Sequence, residues 1–419
     1  MKKKVLYILP SLPYPLSTGG NQAMFNGIKA VKDDFDIYVT YQVPFYNNVD
    51  NDLKQLKKIL DGVTFIPFVY NPLKGFHNFI LWIFFRIKIL LKMKKKNPDY
   101  YCSQMPQLFA PPLAEFTRFI DLCIRENEIE VVQMEMCSTL SHVLTLPDNV
   151  KKIFVHHELN YIVNDLRIKT MGVTPYRVAN QQLAKILELA LLNKCDSVIT
   201  LSNIDKNKLL NECVKVPIHT SFAIVDTVSY PKDFNECCVD LSFVGPAGHS
   251  PNYLGLKWFL ENCWNDLLEI DSSYTLKIIG NWSEDKRAEF SKKYKNIEFL
   301  GFVSSLGNAL NNTIMIVPIT VGSGIRMKIL EAAGLGIPFV STSIGAEGLP
   351  FLNGKECFLA DTPKDFIKSI ISLKDKSLRE KFAINANNLV REKYSIEALR
   401  RNRLNIYERV MMGGGDEIN

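Results

Sequence analysis

The stretch Val317-Pro318-Ile319-Thr320-Val321-Gly322-Ser323-Gly324-Ile325-Arg326-Met327-Lys328-Ile329-Leu330-Glu331-Ala332-Ala333-Gly334-Leu335-Gly336-Ile337-Pro338 reads as a strand, a glycine turn and a helix. Gly322 and Gly324, with Ser323 between them, let the backbone approach a ligand closely. The helix that follows directs its first amide N–H groups and the positive end of its dipole at an anion, and a diphosphate fits that geometry. Arg326 and Lys328 add charge, and Glu331 on the same short helix can accept hydrogen bonds from sugar or ribose hydroxyls. Alone, a Gly-x-Gly turn is a weak signal, and two cations suit a solvated helix face as well. Context strengthens it. Gly334 to Thr342 opens another buried strand, and Ser343-Ile344-Gly345-Ala346-Glu347-Gly348-Leu349 forms a second glycine-bearing loop at its end. Loops at the carboxyl ends of parallel strands are where such folds take their ligands.

Outward from this stretch, short apolar runs alternate with helix-length patterns. The first half holds Val5–Leu9, Phe35–Val43, Val63–Val69, Glu130–Met134, Ile153–Val155 and Asp196–Leu201. The second half repeats the plan with Val239–Gly245, Thr275–Gly280, Ile297–Phe302, Ile314–Pro318, Phe339–Thr342 and Cys357–Ala360, and with helical patterns at Tyr253–Asn265 and Met327–Gly334. Strands alternating with helices imply parallel sheets, so the fold class is α/β, with two Rossmann-like doubly wound domains facing a cleft. The domains are residues 1–225 and 226–395. Residues 396–419 form a C-terminal helix and a flexible tail ending in Gly413-Gly414-Gly415. The join falls within Ile224–Cys238, where Asp226, Pro231, Asp233 and Asn235 interrupt the pattern.

Bulk composition excludes other classes. At 419 residues, with 47% hydrophobic and 22% charged residues, the chain is an ordinary globular protein of two or three domains. Its net charge of +6 suits anionic small molecules or an anionic membrane as well as nucleic acid. No recognition helix or aromatic-basic sheet motif accompanies the charge, so no nucleic-acid partner is expected. Nine scattered cysteines with neither a metal-type pair nor a disulfide framework fit a reducing cytoplasm. Met1-Lys2-Lys3-Lys4 and the apolar Val5 to Leu9 imitate a signal peptide, but the run breaks at Pro10 and reads as a first buried strand.

The run "GSGIRMKILEAAGLGIPFVSTSIGAEGL" resembles the donor-site signature of retaining GT-B glycosyltransferases of family four, in the G-x-G-x-R-x-K-x-L-E-A branch. "LSFVGPAGHSPNYLGLKWFLENC", "LKIIG" and "IEFLGFVSSL" extend the resemblance over the second domain. It implies a GT-B fold, a nucleoside-diphosphate sugar donor, an α-linked product, and no metal or other cofactor. Two departures stand out. Ser323 occupies the place of the family's first glutamate, so only Glu331, expected near the nucleotide ribose, carries over. The loop after the "FVG" strand, with Gly245, His249 and Asn252 as donor-side candidates, lacks the Arg and Lys of many relatives. Arg326 and Lys328 are therefore expected to neutralise the diphosphate, since uncompensated phosphate charge is costly. Glu347, in the second glycine loop, completes the donor side.

In the first domain, Gly19 and Gly20 follow the opening strand where the family has a glycine loop facing the donor phosphates. His156 and His157 end a buried strand and precede Glu158. The resemblance implies that a histidine here hydrogen-bonds the donor sugar; His157 matches the family's H-D/E-L form, with His156 the alternative. Gln133 and Glu135 are acceptor-side candidates, although a solvated strand end is the plainer reading, and Arg167 is weaker still. Phe76–Lys96 packs a run of aromatic and aliphatic residues before Arg86, Lys88, Lys92, Lys94, Lys95 and Lys96. It reads equally as a helix on the inner membrane face, which suits a lipid-linked acceptor, or as a buried helix with a basic end. The function expected is retaining transfer of a sugar to a saccharide or lipid-linked acceptor, in surface polysaccharide synthesis. The alternatives are a nucleotide-sugar 2-epimerase, which needs carboxylates and a histidine set for proton abstraction, and a non-catalytic GT-B partner subunit.

Overall fold

The computed structural model of the chain describes residues 2–16, 18–44, 49–70, 98–212, 214–222, 224–225, 234, 240–321 and 325–412. The chain divides into two compact units, Met1–Ala223 with Leu399–Asn419, and Ile224–Ala398. Phe76–Lys96 lies outside the described residues, and among the rest no helix is long and apolar enough to cross a membrane.

The first unit is built on strands β1 (Lys4–Leu9), β2 (Asp36–Pro44), β3 (Thr64–Tyr70), β4 (Val131–Glu135), β5 (Lys151–His156), β6 (Ser197–Thr200) and β7 (Ile218–Thr220), in the spatial order β3-β2-β1-β4-β5-β6-β7. Every pairing is parallel. Such a sheet is covered on both faces by its crossover helices, which explains why Val5 to Leu9 and Val131 to Glu135 are buried at every position instead of alternating. The second unit repeats the design with β8 (Asp240–Val244), β9 (Thr275–Ile279), β10 (Ile297–Gly301), β11 (Ile314–Val317), β12 (Phe339–Ser341) and β13 (Phe358–Leu359), in the order β10-β9-β8-β11-β12-β13. These pairings are parallel too. The α/β doubly wound class expected from the sequence is therefore the observed one.

Each run expected as a strand is one. The short edge strand β7 was missed, because Ile218-His219-Thr220 carries no apolar run and pairs on one side only. The helical pattern at Tyr253–Asn265 is part of a longer, interrupted helix: Ser250–Phe259, a π turn over Leu260–Trp264, then Asn265–Ile270. Gly19 and Gly20 open the helix Gly19–Val31 instead of forming a free turn, and the Thr18 hydroxyl caps it by accepting from the Asn21 N–H at 3.2 Å.

The last helix, Ile396–Met411, belongs to the first unit from Leu399 onward. Arg400 Nε donates to Asp34 Oδ2 at 2.7 Å, Asn402 Nδ2 donates to the Thr220 carbonyl at 3.1 Å, and Tyr407 meets Phe35 edge-on with ring centroids 5.1 Å apart. In the second unit the two largest fully buried side chains among the described residues are Trp264 and Trp282, each with a partner for its indole N–H: the Lys295 and Gly245 carbonyls, both at 2.9 Å.

Candidate active site

In an open parallel sheet, ligands bind outside the carboxyl ends of the strands where the strand order reverses, because neighbouring loops there diverge and leave a crevice. In the second unit that point lies between β8 and β11, since β9 and β10 continue to one side and β12 and β13 to the other. Two expected donor loops flank it. After β8, Gly245 has φ +151°, and a side chain there would put its Cβ 2.5 Å from Asn252 Nδ2. Only glycine meets both conditions. Trp282 pins this loop through its bond to the Gly245 carbonyl. Gly255, inside Ser250–Phe259, lets that helix close on the end of β11, where an added Cβ would lie 2.6 Å from the Pro318 carbonyl oxygen.

The cations converge on this place. Lys328 Nζ donates to Asn252 Oδ1 at 2.7 Å and sits 4.9 Å from the centroid of the Phe243 ring, while Asn252 Nδ2 donates to the Pro246 carbonyl at 3.2 Å. Burial, then the neighbouring charge of Arg326, pulls the Lys328 ammonium down to about 7, with Glu331 opposing. The buried Arg326 is lowered by desolvation and supported by Glu347, an exposed residue of the loop after β12. His249, exposed at the start of Ser250–Phe259, is lowered by desolvation and by the charges of Lys328 and Arg326, against a bond to Asn252 that raises it. Arg326, Lys328, His249, Asn252, Glu331 and Glu347 thus form one electrostatic neighbourhood. Gly322, Ser323 and Gly324 lie outside the described residues. The loop after β12 is folded on itself: the Thr342 hydroxyl donates to the Ile319 carbonyl and accepts from the Gly345 N–H at 2.9 Å. Asp361 accepts from the Ser343 N–H at 2.8 Å and from its hydroxyl at 2.6 Å.

In the first unit the reversal falls between β1 and β4, and Gly19, Gly20, Glu135 and the histidine pair follow the carboxyl ends of β1, β4 and β5. The two histidines have different surroundings. The His156 side chain is fully buried, with Nε2 2.9 Å from Glu188 Oε1. Glu188 also accepts the N–H groups of Asn160 at 3.2 Å and Tyr161 at 3.1 Å, which start the helix Asn160–Met171, and Cys137 Sγ lies 3.8 Å from the same carboxylate. A carboxylate from one helix therefore caps another and ties His156 into the core. The His157 side chain is 9% exposed, with Nε2 2.7 Å from Glu135 Oε2. Gln133 and Glu135 are buried rather than solvated, and Gln133 Nε2 donates to Glu135 Oε1 at 2.6 Å. Arg167 is exposed on Asn160–Met171. Glu188 and Tyr407 escaped the sequence reading because each belongs to an amphipathic helix whose pattern says nothing about what its polar inward residue meets.

Comparison with known proteins agrees with this architecture. Residues 239–376 match the family described as glycosyl transferases group 1. The chain is 22% identical over 420 residues to an uncharacterized 44.6 kDa protein in the cps region of Klebsiella pneumoniae, covering 93% of this chain and 96% of that one. In fold it is similar to the crystal structure of S. aureus TarM, with a TM-score of 0.69, 16% identity and coverage of 97% and 99% of the two chains. It is also similar to Anabaena HepE in complex with UDP and glucose, with a TM-score of 0.60, 12% identity and coverage of 97% and 99%. The group 1 glycosyltransferase match thus falls within the second unit, while over its whole length the chain shares the GT-B architecture of these solved structures.

Proposed function

We propose that the chain transfers a sugar from a nucleoside-diphosphate sugar to a saccharide or lipid-linked acceptor, with retention at the anomeric carbon and without a bound metal, in surface polysaccharide synthesis. The observation that carries this reading is the pair of crowded cations at the switch point of the second unit, Arg326 and the depressed Lys328. Crowded positive charge beside a helix N-terminus and a glycine-walled loop is a diphosphate's complement. The UDP and glucose in the HepE structure and the cps-region relative support the same direction. A lipid-linked acceptor draws support from the apolar and basic composition of Phe76–Lys96.

In this reading the bond from the anomeric carbon to the diphosphate oxygen breaks while the acceptor oxygen bonds to the same face of that carbon, and the acceptor's proton passes to the departing phosphate. Arg326 and Lys328 stabilise the charge that grows on the diphosphate, which is where preorganised cations contribute most. Glu331 accepts from the ribose, and His157 positions the donor sugar without acting as the base. The test is incubation of the full chain with a panel of nucleotide sugars, with and without EDTA, following nucleoside diphosphate release and the anomeric configuration of the product. Release that is unchanged by EDTA and an α-linked product are expected. Absence of release from every donor overturns the reading, and loss with EDTA restored by manganese overturns its metal independence.

A further inference from the structure

A hydrogen-bonded chain crosses the first unit and ends on His157. Tyr7, in the middle of β1, is the register partner of Gln133 on β4. Tyr7 Oη lies 2.7 Å from Tyr407 Oη, Tyr407 Oη donates to Gln133 Oε1 at 2.6 Å, Gln133 Nε2 donates to Glu135 Oε1 at 2.6 Å, and Glu135 Oε2 lies 2.7 Å from His157 Nε2. Tyr7, Gln133, Glu135 and Tyr407 are each 1% exposed or less, so these bonds do not compete with water.

The direction of every bond follows from the donor inventory. Burial raises both tyrosines, Tyr407 to about 12, so each keeps its proton and has one to donate. Tyr407 gives its proton to the Gln133 carbonyl and therefore accepts from Tyr7. The Gln133 amide, with its oxygen held by Tyr407, turns its NH2 to Glu135. Glu135 Oε1 is thus an acceptor, and a carboxylate whose second oxygen also accepts takes the proton on His157 Nε2. Neutral His157 then has Nδ1 bare, and Nδ1 is the ring nitrogen left for a ligand.

We propose that Glu135, held by Gln133 and Tyr407, is a positioning residue that fixes His157 as its Nε2–H tautomer and presents Nδ1 as a hydrogen-bond acceptor for a hydroxyl of the donor sugar. This rests on the assignment of His157 to the donor sugar made above. It moves Glu135 and Gln133 from the acceptor to the support of the histidine, and it gives the final helix a part in the site, because Tyr407 comes from the far end of the chain.

The test is nitrogen NMR of the full chain labelled at histidine, above neutral pH, with the His157 signals assigned by their loss in His157→Asn. In the wild type the Nε2–H form should exceed the Nδ1–H form at least about tenfold, the worth of one hydrogen bond to a charged group. In Glu135→Gln the ratio should fall to within about threefold, because the amide can donate to Nε2 as readily as accept from it. Tyr407→Phe keeps the ring against Phe35 and frees the Gln133 amide together with the Tyr7 hydroxyl; it should lower the ratio about fivefold, and it decides the matter if Glu135→Gln does not fold. A wild-type Nδ1–H form, or a ratio unmoved in both variants, overturns the proposal. UDP affinity, measured on the same samples, should be the same in all of them. If UDP does not bind the wild type, the donor reading fails while the tautomer result still stands or falls by itself.

Discussion

The two sheets share one device and use it for opposite electrostatics. Each reverses its strand order once, between β1 and β4 in the first unit and between β8 and β11 in the second. The second unit lines its switch point with Arg326, Lys328 and His249, three groups whose charged forms burial disfavours, with repulsion by the neighbouring cations adding to it at Lys328 and His249. The first lines its own with a carboxylate and a histidine backed by tyrosines and an amide. A crowded cluster of cations suits a multiply charged anion. A histidine steadied by a carboxylate suits a neutral hydroxyl. The topology supplies the crevice in each unit, and the side chains at its rim decide which chemical group that crevice suits.

The sharpest way to break this contrast is to remove a cation. Arg326→Ala should weaken UDP binding by about 1.5–3 kcal/mol, roughly ten- to 150-fold, as for a charge-assisted hydrogen bond. Unchanged affinity by calorimetry would show that the second unit's cations do not hold the diphosphate.

A smaller effect comes from pH. Burial and the charge of Arg326 hold Lys328 down at about 7, and a diphosphate would favour its charged form, so binding should take up a proton. UDP affinity should fall by up to about tenfold per pH unit from about pH 7 to about 9. Lys328→Met should bind more weakly and flatten that slope; a slope that persists in the variant assigns the proton elsewhere. The sign for folding is opposite. The depressed value means that the fold carries the full cost of the buried charge below about pH 7 and sheds it as pH climbs toward the unfolded lysine's 10.5.

The least effect tests the wall rather than the charges. Gly255→Ala gains about 0.5–1 kcal/mol of helix propensity but forces a methyl against the Pro318 carbonyl, at about 1–3 kcal/mol. Net destabilisation of about 1 kcal/mol is expected from urea unfolding. A stabilised variant would mean that the helix Ser250–Phe259 has room to shift away from β11.

Much of this was legible in one dimension. The helix Met327–Gly334 lies where its periodicity puts it, and Arg326, its N-cap, and Lys328, in its first turn, both stand at its start. His249 and Asn252, the latter 76 residues before Lys328, reach it only through the pairing of β8 with β11. Gln133 and Glu135 looked like a solvated strand end because charge and amide are the ordinary marks of one, and their burial depends on what packs above β4. His156 and His157 were inseparable in sequence, since nothing nearby announces that Glu188 is reserved for one and Glu135 for the other.

What the sequence determined by itself was local and periodic: the alternation of strand and helix, the glycine loops, and the cations at the start of one helix. These follow from backbone sterics and hydrophobic patterning, which act over a few residues. The tertiary structure alone decided the rest. It returned the last helix to the first unit, set Tyr407 against Gln133 across 274 positions of chain, and pressed Lys328 against Asn252 and Arg326 until its proton became labile near neutrality. Desolvation and hydrogen-bond direction are properties of neighbours in space, and the order of residues along a chain does not contain them until the sheets have closed.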